Sequence, residues 1–151
     1  MLFIMKEFTN NRGARHDFDI IETYEAGIEL LGFEVKAIKS GRASIAGSRV
    51  IIRGGEAWLI NADIPPYQAK NTPKTYDQKR TRRLLLRRKE ISHLSSKSEE
   101  KGLTLVPLVL YSKKSNIKVS IGLGRHRKKA DKRELIKKRE VRRAIARVLH
   151  S

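Results

Sequence analysis

The chain of 151 residues contains no cysteine, which excludes disulfide bonds, thiolate metal sites and cysteine nucleophiles. It also has no apolar run near the roughly 18 residues that a membrane span requires. The opening is apolar for only five residues and has no charged n-region, so it does not resemble a signal peptide. These absences predict a cytoplasmic protein without a membrane partner.

Signatures of catalysis and of bound cofactors are also lacking. The chain has neither a Ser/His/Asp arrangement with supporting motif context nor a glycine-rich phosphate loop nor a pair of acid/base carboxylates. The histidines are scattered, and none stands four residues from another: His16, His93, His126 and His150. We therefore expect no enzymatic activity, no cofactor and no metal ion.

Positive charge is abundant and unevenly distributed. Residues 124–151 hold twelve Lys or Arg against three Asp or Glu, and they contain no Phe, Tyr or Trp. Such a segment buries too little apolar surface to offset the entropy lost on ordering. We expect this tail to be disordered when free and to order against a polyanion, which for a chain of net charge +18 is most plainly nucleic acid.

The first 123 residues have the pattern of a small β-rich domain. Residues 18–30 alternate between apolar and charged side chains, which predicts a strand, and Gly27 predicts a bulge or bend within it. Residues 32–40 and 89–101 have helical spacing. Further β-rich runs form two pairs, 48–53 with 56–64 around a Gly54-Gly55 turn, and 103–111 with 117–123.

This order of elements predicts a mainly β fold, a small OB-type Greek-key barrel with two or three helices. An SH3-like barrel fits the strand count almost as well. We expect residues 1–123 to form the RNA-binding barrel and residues 124–151 to form the basic tail. Residues 67–83 have few apolar groups and several cations, which predicts a basic, mobile loop; the residues before 18 read as a polar lead.

Three blocks of sequence together resemble one known family. The first holds NRGARHD at 11–17, YEAG at 24–27 and GFEVK at 32–36; the second holds GEA at 55–57 and RRLLL at 82–86. The third holds KGLTLVPL at 101–108, KVSIG at 118–122 and DKRE at 131–134. In order and spacing, the chain resembles the SmpB family, the tmRNA-binding (SsrA-binding) proteins of bacterial trans-translation.

The resemblance implies an OB-type barrel that binds the tRNA-like part of tmRNA and acts as a monomer on stalled ribosomes. It implies that the tail lies against ribosomal RNA in the small-subunit decoding centre and in the empty mRNA channel, where it becomes helical. The RNA-binding residues implied on the barrel are Arg15, His16, Glu25, Glu34, Lys36, Arg83, Leu85 and Lys118. Those implied on the tail are Asp131, Lys132, Arg133, Lys137 and Lys138.

Three positions depart from the family pattern: Gly13, Asp77-Gln78 and Ala130. Ala130 stands where some members carry a His or an aromatic residue, so stacking on a ribosomal base from this position is not expected. The alternative function is that of a ribosomal or ribosome-assembly protein that uses the same basic barrel as a permanent part.

Individual side chains carry further expectations. We expect Leu84 and Leu86 to point into the core and Leu85 to face RNA. Glu25 is expected to accept from a base or to orient a basic neighbour, since a carboxylate otherwise repels phosphate. Glu34 and Lys36 are two residues apart and are a possible structural ion pair. Asp131, followed by Glu134, predicts a helix start with an Asp variant of the capping box.

Overall fold

The structure, a computed structural model, describes residues 5–150, and for residues 129–131 and 150 it describes the backbone alone. Over these residues the chain forms seven strands and four α-helices. In chain order they are β1 (Lys6–Asn10), α1 (Arg12–Asp17), β2 (Phe18–Ile28), α2 (Gly32–Lys39), β3 (Arg49–Arg53), β4 (Glu56–Ile60), β5 (Arg82–Leu85), α3 (Arg88–Ser98), β6 (Leu103–Lys113), β7 (Asn116–His126) and α4 (Lys129–His150). None of the described helices is long and apolar enough to cross a membrane.

All pairings between the described strands are antiparallel, in the order β1-β6-β7-β2-β5-β4-β3. β3, at one edge, also lies against β6, so the sheet curls back on itself. The mainly β class predicted from the sequence is confirmed, and the curled antiparallel sheet agrees with an OB-type barrel. β7 continues to His126, three residues past the predicted end of the barrel at residue 123.

The predicted strand pairs are present, and their turns have the expected chemistry. Gly54 and Gly55 join β3 to β4 with φ of 60° and 73°, which is the left-handed conformation that two-residue hairpin turns require. In β6 the pairing with β7 shifts between Pro107 and Val109, so the proline stands at a bulge as predicted. The irregularity in β2 lies between Ile20 and Glu22, not at Gly27.

Two elements at the start of the chain were not predicted. Residues 6–10 were expected to be a polar lead, but they form β1, which pairs with β6. α1 was missed as well; its N-cap is Asn11, whose Oδ1 accepts from the Ala14 amide at 3.2 Å. Asn11 is buried and its Nδ2 donates to the Pro107 carbonyl at 2.9 Å, so this side chain joins α1 to β6.

The sheet carries a core on each face. The inner core contains alternate residues of the long strands, such as Val119, Ile121 and Leu123 of β7. A smaller outer core packs under α1 around Leu108. At Gly122 an added Cβ would lie 2.9 Å from Leu108 Cδ1, so the absence of a side chain on β7 makes room for this outer core. α1 thus covers one end of the outer face and leaves the other end open.

α4 extends from the end of β7 with little burial. Its apolar side chains are largely exposed, from 43% at Ile136 to 77% at Leu149. The helix begins at Lys129, two residues before the predicted start. The predicted cap at Asp131 is a side-chain feature and lies outside the described side chains. Little of α4 packs on the barrel. That the tail is disordered in free solution stays a prediction.

Candidate nucleic-acid interface

The uncovered end of the outer face brings together three of the residues expected to contact RNA. Gly27 on β2 pairs with Leu85 on β5 and with Lys118 on β7. Residues paired across neighbouring strands share a face of the sheet, so Leu85 and Lys118 flank Gly27 on the outer side. Glu25, two residues before Gly27, lies on the same face.

Leu85 is exposed as predicted from the leucine triplet. Its exposed fraction is 46%, whereas Leu84 is fully buried and Leu86 is half-buried against the core. At Gly27 an added Cβ would lie 3.3 Å from Leu85 Cβ, so any larger residue there would press on this side chain. A groove of about 400 Å³ runs past Leu85, Lys118 and Val35 of α2.

Glu25 is anchored by two neighbours that sequence reasoning did not name. Its Oε2 accepts from the Tyr111 hydroxyl at 2.5 Å and lies 3.4 Å from Lys113 Nζ. The hydrogen bond from Tyr111, followed by that from Lys113, lowers the pKa of Glu25. The carboxylate is therefore charged and orients a lysine, which is one of the two roles expected of it. Tyr111 and Lys113 stand two apart on β6, a spacing that itself places them on one face.

Arg15 and His16 lie on α1, at the far end of β2 from Lys118. Phe18 pairs with His126 and Gly27 with Lys118, and the eight residues between these partners on β7 span about 26 Å at 3.3 Å per residue. The structure therefore divides the expected RNA contacts into two groups. Arg15 is exposed, and His16 Nδ1 lies 3.1 Å from Asp17 Oδ1.

Glu34 is not positioned for direct contact with RNA, since it is fully buried. The alternative, a structural ion pair between Glu34 and Lys36, is also wrong. Glu34 instead pairs with Arg80 and Arg82, and Lys36 is exposed on α2. The guanidinium groups lie more than forty residues further along the chain, so no local pattern indicated this pairing.

Arg83 is half-exposed and already engaged by carboxylates. It lies 3.0 Å from Glu56 and 3.1 Å from Glu29. The hydrogen bond and charge of Glu56 raise the pKa of Arg83. A contact between Arg83 and phosphate would have to compete with these two groups.

The expected tail residues lie along the first half of α4. Lys132 is half-buried, and its Nζ lies 3.1 Å from the same Asp17 Oδ1 that contacts His16. Arg133, Lys137 and Lys138 are exposed. Lys138 also lines a groove of about 360 Å³ between α4 and the end of β7.

Within the described residues, no group of three His, Asp or Glu is arranged to hold a metal ion. What the site offers is an exposed leucine and ordered cations on an open sheet face, in a chain of net charge +18. A curled β-sheet with these features defines a basic nucleic-acid-binding protein.

The particular family follows from comparison with known proteins. The chain belongs to the SmpB family: the model of that family, described as "SmpB protein", matches residues 8–151. The SsrA-binding protein of Gloeothece citriformis is 52% identical over 144 residues, covering 95% of this chain and 93% of that protein. That of Microcystis aeruginosa is 49% identical over 145 residues, covering 96% and 94%.

A solved structure is similar in fold. A chain of "tmRNA-SmpB: a journey to the center of the bacterial ribosome" superposes with a TM-score of 0.65 at 45% sequence identity. The match covers 80% of this chain and 84% of that one.

Proposed function

We propose that this protein binds the tRNA-like part of tmRNA and acts with it, in the cytoplasm, on stalled ribosomes during trans-translation. The observation that carries the proposal is the open sheet face, where Leu85 and Lys118 flank Gly27 beside the anchored Glu25. An exposed leucine contacts bases or riboses, and a lysine neutralises phosphate. Membership of the SmpB family and the names of its relatives support the choice of RNA.

The proposed role is binding rather than catalysis. Barrel residues 1–123 would hold the RNA through two groups of contacts, the sheet face and the α1 residues Arg15 and His16. The tail, residues 124–151, would enter the decoding centre and the empty mRNA channel, with Lys132, Arg133, Lys137 and Lys138 facing ribosomal RNA. We expect the protein to act as a monomer.

Sequencing the RNA that co-purifies with the native protein tests the proposal. We expect tmRNA to dominate, and the protein to be substoichiometric on bulk ribosomes but enriched on ribosomes stalled at truncated message. A protein present in one copy on every ribosome would contradict a rescue role and would indicate a permanent ribosomal component.

A further inference from the structure

A second basic surface lies away from the open sheet face, on residues 65–81 between β4 and β5. We define the loop surface as Lys70, Lys74 and Lys79 of this segment together with Arg42, which follows α2. All four side chains belong to exposed residues. Among the described residues, none of the four has a carboxylate oxygen within 4.0 Å.

The segment that carries these lysines is fastened to α2 by the buried carboxylate of Glu34. Glu34 Oε2 accepts from Arg82 Nε at 2.8 Å and from Arg80 Nε at 3.1 Å. The Tyr76 hydroxyl lies 2.8 Å from the same oxygen. Glu34 Oε1 accepts from the Leu31 amide at 2.8 Å, so the carboxylate also closes the first turn of α2.

Additional contacts hold both ends of the segment. The Ile64 amide donates to the Gln78 carbonyl at 2.9 Å. The rings of Phe33 and Tyr76 meet edge to face with centroids 4.7 Å apart. Arg42 Nη1 donates to the carbonyl of Tyr67 at 3.0 Å, and its guanidinium lies 5.6 Å from the Tyr67 ring centroid. The basic loop predicted to be mobile is therefore held at two places, at Tyr67 by Arg42 and from Tyr76 onward by α2 and Ile64.

This arrangement has a cost that stability alone does not explain. Burying charged groups incurs a desolvation penalty that their mutual attraction often fails to exceed. Burial raises the pKa of Glu34, but hydrogen bonds from Arg80, the Leu31 amide, Arg82 and Tyr76 outweigh it and lower that pKa to about 2. The charged cluster thus persists at neutral pH, and it fixes residues 76–82, which include Lys79 and begin two residues after Lys74.

We propose that the loop surface binds the phosphate backbone of RNA, and that Glu34 is the positioning residue that holds this surface in shape. The inference rests on the proposed function as an RNA-binding protein. Separate flexible cations suit phosphate rather than base edges, since phosphate contacts need charge and position but no hydrogen-bond pattern. A loop ordered in advance loses less conformational entropy on binding.

The first experiment measures salt dependence of binding by the full-length protein. The loop variant carries Lys70→Gln, Lys74→Gln and Lys79→Gln; the matched control, with the same loss of charge, carries Arg53→Gln, Lys89→Gln and Lys101→Gln. Each is titrated against a transcript of the tRNA-like part of tmRNA and, separately, against ribosomes stalled on truncated message. Each neutralised phosphate contributes about 0.7–0.9 to the slope of log binding constant against log salt concentration. The loop variant should therefore lower this slope by about two, and the control variant by less than one.

A lowered slope with the transcript assigns the surface to tmRNA, and a lowered slope with the ribosome assigns it to ribosomal RNA. Slopes equal to those of the control in both titrations would overturn the proposal. If the unsubstituted protein itself failed to bind the transcript, the proposed function would fail first. The two failures are therefore distinguishable.

The role of Glu34 is tested through Tyr76→Phe, because Glu34→Ala would leave the buried Arg82 and the partly exposed Arg80 without their carboxylate and could prevent folding. Tyr76→Phe keeps the ring against Phe33 and removes the hydroxyl, which lies beside Glu34, the Ile64 carbonyl and Arg82. We expect amide exchange across residues 65–81 to accelerate, and affinity for the RNA that uses the surface to fall three- to tenfold. Added to the loop variant, the same substitution should cause no further loss. Faster amide exchange across residues 65–81 with unchanged affinity for RNA would show that Glu34 has a structural role alone.

Discussion

Glu25 and Glu34 were both expected to contact RNA. Their surroundings in the structure differ. Glu25 is exposed and lies among Tyr111 and Lys113 on the open face. Glu34 is fully buried beneath a loop. Both have a lowered pKa because hydrogen-bond donors surround them. Only Glu25 is positioned to touch a ligand directly, so substitutions at the two positions should affect binding in different ways.

Glu25→Ala should weaken binding of the tRNA-like RNA about tenfold while leaving the salt slope unchanged, because the carboxylate acts by accepting hydrogen bonds and by orienting Lys113. Lys118→Ala should lower the slope by about one unit, since it removes one phosphate contact. Filter binding over a range of salt concentrations measures both. The control is Glu99→Ala at the end of α3, which removes an exposed carboxylate from another part of the protein. Tighter binding by Glu25→Ala would show that the carboxylate merely repels RNA.

Glu34 should titrate at unusually low pH. Its folded pKa of about 2 is depressed below the ordinary value of 4.5, so its contribution to stability is complete above about pH 5. That contribution, on the order of 3 kcal/mol, is lost as pH falls through the folded pKa. Carbon-detected NMR of the side-chain carboxyl should give a midpoint well below the ordinary value of 4.5. A midpoint near 4.5 would mean that Arg80 and Arg82 do not pair with Glu34 in solution.

Sequence reasoning at the residue scale succeeded where the cause was local. The leucine triplet gave the correct directions for Leu84 and Leu85 because strand alternation is a local property. It failed for Glu34, whose partners lie 46 and 48 residues further along the chain. Nothing in the spacing of Glu34 and Lys36 could have indicated that Glu34 would pair with Arg80 and Arg82 and not with Lys36.

Between elements, Asp17 at the end of α1 is the contact that orients α4. Its Oδ1 lies 3.1 Å from both His16 Nδ1 and Lys132 Nζ, and hydrogen bonds from these two groups lower the pKa of Asp17. The Asp17 carbonyl also accepts from the Arg127 amide at 2.8 Å. His16, which is expected to contact tmRNA, and Lys132, which is expected to contact the ribosome, thus contact the same carboxylate oxygen.

Asp17→Ala should loosen the first turn of α4. Since the ion pair is partly exposed, we expect a loss of less than about 1 kcal/mol in the free energy of unfolding. Amide exchange around residues 132–136 should nevertheless accelerate several-fold, because the contact with Lys132 is removed. The matched control is Asp19→Ala, whose carboxylate is more distant, 4.0 Å from Arg127. Unchanged exchange in that turn would show that Asp17 does not hold α4.

The rest of α4 should order on the ribosome. In the free protein, amides beyond Ile136 should exchange rapidly, because the apolar side chains there are exposed and a helix with clustered like charges is marginal. On a ribosome with an empty channel, ribosomal RNA supplies counter-charge and the same amides should become protected. Hydrogen exchange with mass spectrometry compares the two states. Equally strong protection of these amides in the free and the ribosome-bound protein would mean that α4 is a preformed helix.

At the element scale, the long strands were the predictable part. β2, β6 and β7 have periodic sequences and glycine or proline punctuation, and all three were located correctly. β1 contains one large apolar residue in five, so its pattern did not indicate a strand. For α1 the available indication was Asn11, a favoured N-cap residue, but a six-residue helix is too short to show periodicity.

For the whole molecule, the barrel and the tail should be separable in function. A protein ending at Arg127 should bind the tRNA-like RNA within about tenfold of the full chain, because the proposed contacts lie on the open face and α1. Tagging of stalled peptides should nevertheless be abolished. With the full chain, the tagging rate should fall as the message extends further past the decoding site, since message and tail would compete for one channel. A tagging rate indifferent to message length would rule out a channel-sensing tail.

The pairing of β7 with a strand on each side fixes the distance between its two ends. Lys118 stands near one end of this strand and His126 at the other, so eight residues fix a span of about 26 Å between the open face and the root of α4. β2 and β6 flank the strand on both sides and prevent it from stretching. Sliding β7 by one residue against β2 or β6 would exchange its two faces, so the pairing also resists a shift of register. Any RNA that contacts both ends must match this spacing, so length is part of what is recognised.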